Sequence, residues 1–79
     1  MIKLTASRRL ETITRILSEI IDGNTRSVAE LVDHFGAHTF NPEERLRLTV
    51  IINTVKGNSK IESISLGKLG NTVYELLYK

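Results

Sequence analysis

The sequence predicts an α+β fold, mainly α, in which three helices are followed by a C-terminal β-hairpin. Three observations carry that expectation. An apolar stripe at helical spacing runs from Leu10 to Ile21. Two helix-start signals follow, at Ser27-Val28-Ala29-Glu30 and at Asn41-Pro42-Glu43-Glu44. Near the C-terminus, two glycines and an asparagine crowd into Gly67-Lys68-Leu69-Gly70-Asn71. Such residues accept positive φ cheaply, which is what a hairpin turn requires.

Each element has its own local reason. Met1-Ile2-Lys3-Leu4 reads as a short extended piece able to pair with a later strand, and Thr5 or Ser7 as the first N-cap. Leu10, Ile13, Ile16, Leu17, Ile20 and Ile21 then recur at gaps of three, three, one, three and one. That spacing keeps them on one helical face. Arg8, Arg9, Glu11, Arg15, Glu19 and Asp22 occupy the other face, and Gly23-Asn24 stops the helix. Ser27-Val28-Ala29-Glu30 has the pattern of a capping box. It opens a short helix with Val28, Leu31, Val32 and Phe35 inward and Gly36 as a left-handed stop. Asn as cap, Pro at the first helical position and two carboxylates in the first turn start a third helix. On it Leu48, Ile51, Ile52 and Val55 share one face, and Gly57-Asn58 marks its end. Residues 46–52 also alternate as a strand would, but the start and stop signals outweigh the alternation. Ile61, Ile64 and Leu66 supply the outgoing strand of the hairpin, and Thr72 to Tyr78 the returning one.

The totals bound the function classes. A chain of 79 residues has room for one domain, taken as 1–79, and one small core. It has no cysteine, so neither disulfides nor a Cys-based zinc site reinforce that core. His34 and His38 are separated by Gly36 and have no third ligand at helical spacing, so no metal is expected. No cofactor is expected either. Asp33-His34 near Ser27 lacks an oxyanion hole and a strained nucleophile turn, so the chain does not read as an enzyme. Gly67 to Gly70 lacks a phosphate-loop pattern. Apolar runs never exceed three residues, as in Val50-Ile51-Ile52, and no secretory leader is evident, so a cytoplasmic location is expected. A net charge of +2 and a pI near 9.2 permit a nucleic-acid partner without demanding one.

The stretch from Arg8-Arg9-Leu10 through Ile20, then Ser27-Val28-Ala29-Glu30-Leu31-Val32, then the third helix and hairpin, together resemble the winged helix-turn-helix superfamily of small bacterial and phage regulators. Residues 27–36 look like the first helix of the helix-turn-helix, and Thr49 to Ile64 like a recognition helix running into the first wing strand. The resemblance implies transcription regulation by docking the third helix in the major groove of double-stranded DNA. Arg45, Arg47, Thr49, Asn53 and Lys56 then become candidate base or phosphate contacts, with Arg suited to guanine and Asn to adenine. Lys68 and Asn71, with Lys60 nearby, would lie at the wing tip against the phosphate backbone. Arg26 at the start of the second helix is a further phosphate candidate, whereas Ser27 is explained by its cap alone. Arg8 and Arg9 read as a solvated face.

Two features depart from that pattern. The turn from Gly36 to Asn41 is long, and Leu46 and Val50 point away from the apolar stripe of the third helix. With Phe40 they are either covered within the chain, by the long turn or by the Ile2-Leu4 segment, or they form a second candidate surface, for a homodimer or a host protein, in a winged-helix interaction module. Neither a membrane nor a small-molecule substrate is expected as a partner.

Overall fold

The computed structural model describes residues 2–23, 26–57 and 65–78, with side chains from residue 7 onward. The order is α1 (Ile2–Ile21), α2 (Val28–Gly36), α3 (Pro42–Lys56) and α4 (Leu66–Leu77), with no strand among the described residues. The mixed α+β class, the hairpin and the wing are therefore incorrect. So is the extended reading of the N-terminus, because α1 already begins at Ile2. The proposed outgoing strand at Ile61 and Ile64, and Lys60, lie outside the described residues.

Residues 66–77 fold as a helix for two reasons that the glycines obscure. Ser65 adopts the extended N-cap conformation and its hydroxyl accepts the Lys68 amide at 3.4 Å. Leu66, Leu69, Val73 and Leu77 then recur at gaps of three, four and four, the helical stripe. Leu69, Val73 and Leu77 are buried at 3 %, 0 % and 0 % exposure. Gly70 serves packing instead of a turn. It is buried, and a Cβ built on it would stand 2.7 Å from Thr14 Oγ1 on α1. Among the described residues only Gly23, at the end of α1, takes a positive φ, of 83°. Gly36, expected to be a left-handed stop, is instead the last residue of α2, with Phe40 Cδ2 3.0 Å from where its Cβ would lie.

The four helices close a ring of neighbours: α1 packs on α2 and α4, and α3 packs on the same two. Ile13, Ile16 and Leu17 from α1 meet Val28, Leu31 and Val32 from α2, Leu48 and Ile52 from α3, and the α4 stripe. Phe40, in the turn before α3, completes this core at 3 % exposure, so it is not available as an interface residue. No buried polar or charged side chain interrupts the core among the described residues. No described helix is long and apolar enough to cross a membrane.

Gly70→Ala should destabilise the fold by ~1–3 kcal/mol, because either Thr14 must leave its rotamer and its bond to the Leu10 carbonyl or the two helices must move apart. Gly67, two residues into the same helix, meets nothing within 4 Å. Gly67→Ala should be neutral or raise stability by about 0.5 kcal/mol through helix propensity alone. Urea denaturation of the two variants checks the opposite signs.

Candidate functional site

The outward surface of α3 carries most of the residues that the sequence singles out. Its start is fixed by a complete capping box. Asn41 Oδ1 accepts the Glu44 amide at 2.8 Å, and Glu44 Oε1 accepts the Asn41 amide at 3.0 Å. Pro42 follows as the first helical residue. Leu48 and Ile52 face the core, Ile51 and Val55 are half-buried, and the opposite face is open.

Two arginines on this helix make bonds that hold the fold together. Arg45 Nη1 donates to the carbonyl of Phe40 at 2.8 Å and that of Ala37 at 3.3 Å, while its Nε lies 3.5 Å from Asp33 Oδ1. It thereby ties down the turn from α2 to α3, including carbonyls the helix end leaves open. Arg47 Nη2 donates to the Leu77 carbonyl at 2.8 Å, satisfying the C-terminal end of α4. The Thr49 hydroxyl donates to the Arg45 carbonyl at 2.8 Å. Asn53 and Lys56 are exposed toward the far end of α3. Lys68 and Asn71 are exposed on α4 and not at a wing tip, and Arg26 is exposed just before the cap of α2. The candidate cations are thus scattered over three elements and do not form one stripe.

Two of the apolar candidates, Leu46 and Val50, come together instead. Leu46 is 72 % and Val50 66 % exposed, on adjacent turns of α3. Ile51, the stem of Arg47 and Leu76 of α4, the last 43 % exposed, continue the surface into the groove between the two helices. At about 100° per residue, Glu43 falls within roughly 60° of Leu46 and on the same side as Val50. The face is therefore apolar with a carboxylate at its N-terminal end. The sequence does not single out Leu76. Its signal is the helical period of residues 66–77, from whose inward stripe it stands aside.

A polar cluster fastens this groove at one end. The Tyr78 hydroxyl donates to Glu44 Oε2 at 2.7 Å, Arg9 Nη2 lies 3.9 Å from the same oxygen, and the Arg9 guanidinium sits 5.3 Å from the centre of the Tyr78 ring. Burial pushes the Glu44 carboxyl up, but the Tyr78 hydroxyl, the Asn41 amide and the charges of Arg9 and Arg47 together outweigh it. The net result is a carboxyl below its ordinary 4.5. Burial, the hydrogen bond to Glu44 and the Glu44 charge all push the Tyr78 phenol up. These groups link the N-terminal ends of α1 and α3 to the C-terminal end of α4.

A second depression runs along α1 between Phe35 and Leu66. Its polar groups do not converge: the Thr14 hydroxyl donates to the Leu10 carbonyl, and the Arg15 guanidinium lies over the Phe35 ring. Among the described residues no group of three His, Cys, Asp or Glu is placed to hold a metal ion. No family model, no curated protein and no solved structure matches the chain.

Arg45→Ala should lower the unfolding free energy by ~1.5–3 kcal/mol, the range for hydrogen bonds to a charged group. Asn53→Ala and Lys56→Ala should stay within about 0.5 kcal/mol of the parent in the same denaturation series. The pH dependence follows from the direction of the Glu44 shift. Its contribution is complete above the unfolded carboxyl value of about 4.5 and is lost as the pH falls through the lower folded value. Glu44→Gln should therefore melt lower than the parent at pH 7 and lose less stability on going to pH 3. Tyr78→Phe should move the Glu44 carboxyl upward, as read by carbon-detected NMR titration.

Proposed function

We propose that this chain is a helical protein-interaction module that receives an amphipathic helix of a partner protein along the Leu46–Val50 face of α3 and the adjoining groove to α4. The observation that carries this reading is the exposure of Leu46 and Val50, 72 % and 66 %, beside the half-open Leu76. A helix laid in a groove engages such a strip through its own residues at i, i+3, i+4 and i+7.

Energetics favour an occupant that brings contacts of its own, and so a different protein over a second copy. Fully burying a leucine or valine contributes ~1.5–3 kcal/mol, so the exposed fractions of Leu46, Val50 and Leu76 amount to roughly 3–5 kcal/mol. Association costs ~4–15 kcal/mol, and a stable interface takes about 800 Å² from each side. The strip therefore needs further contacts supplied by its occupant. A second copy related by a two-fold at Val50 supplies mainly the same short strip again. Glu43 and Gly57 are equally distant from Val50 in sequence, so antiparallel pairing sets each Glu43 carboxylate at the last turn of the other α3, where Lys56 offsets the negative helix end. Parallel pairing sets Glu43 against Glu43.

Double-stranded DNA is less well supported as the partner. Arg45 and Arg47, the residues best suited to reading guanine, are bonded to carbonyls of their own chain. The turns of α3 that would enter a groove first carry Glu43, Leu46 and Val50, whereas phosphate contact calls for cations there.

The test uses a synthetic amphipathic helical peptide with leucines at i, i+3, i+4 and i+7, titrated into methyl-labelled protein. Saturable NMR shifts are expected at Leu46, Val50, Ile51 and Leu76, and none in the double variant Leu46→Asp with Val50→Asp. That variant should keep the parent's helical circular dichroism, with its melt displaced by about 0.5 kcal/mol or less per site. Absence of shifts at these methyls, or unfolding of the variant, overturns the assignment. Sedimentation that shows a dimer in the parent and a monomer in the double variant replaces the partner helix with a second copy. Salt-sensitive binding of a DNA duplex that survives the double substitution but is lost in Lys56→Ala returns the function to nucleic acid.

A further inference from the structure

We draw no further inference here: the strongest candidate, the groove along α1 between Phe35 and Leu66, brings no converging polar groups together, and nothing in the structure shows what covers it.

Discussion

The close approach of α4 to α1 at Gly70 and Thr14 is the constraint on which the rest of the molecule depends. With no side chain at residue 70, the two helices come near enough for Leu69, Val73 and Leu77 to seal the core formed by Ile13, Ile16 and Leu17. That docking fixes where the C-terminal end of α4 arrives. Tyr78 meets Glu44 and Arg9 there, the Leu77 carbonyl meets Arg47, and Leu76 comes beside Ile51. A shift of α4 would disturb all three contacts together and would open the groove that borders Leu46 and Val50.

The two arginines of α3 show how one residue type serves different ends according to where its fork points. Arg45 reaches back along its own helix to the Phe40 and Ala37 carbonyls and draws in Asp33 of α2. Arg47 reaches across to the last turn of α4. A guanidinium has several donors in a fixed plane, so each of these groups can satisfy carbonyls that a helix end would otherwise leave to water. Moving either arginine to an external ligand would return those carbonyls to solvent and loosen a connection between helices. Scattered cations such as Lys56 and Lys68 carry no such obligation, but they lie on different elements.

The first three helices were legible in the sequence because their signals are local. The helix under the stripe from Leu10, the Ser27 cap and the Asn41-Pro42-Glu43-Glu44 start form where expected, each from residues within about one turn. Ile21 at the end of the stripe is nevertheless 46 % exposed, and α1 starts earlier, at Ile2. The fourth helix was misread because its decisive partner is remote. Gly67 and Gly70 look like turn residues when only their neighbours are considered, and β-branched Thr72 and Val73 look like strand. The need for a glycine at 70 comes from Thr14, fifty-six positions earlier, and a single sequence does not display that pairing. Phe40 was misplaced for the same kind of reason. Next to polar neighbours it reads as exposed, yet the turn folds it onto Gly36 and into the core. The outward direction of Leu46 and Val50 was legible, since helical period alone sets it.

Of the exposed apolar pair, Val50 is the more informative residue. Leucine is a good helix former, so Leu46 contributes to α3 even where it touches nothing. Valine is a poorer one, because its branched carbon loses rotamer freedom against the preceding turn. At 66 % exposure Val50 recovers little of that loss through burial. Neither local propensity nor packing among the described residues accounts for a valine there, and a polar residue would serve an isolated helix as well or better. Its position beside Leu46, and in one groove with Ile51 and Leu76, is the feature on which the proposed partner helix rests. Under the proposed reading, that side chain meets its apolar counterpart on the partner helix.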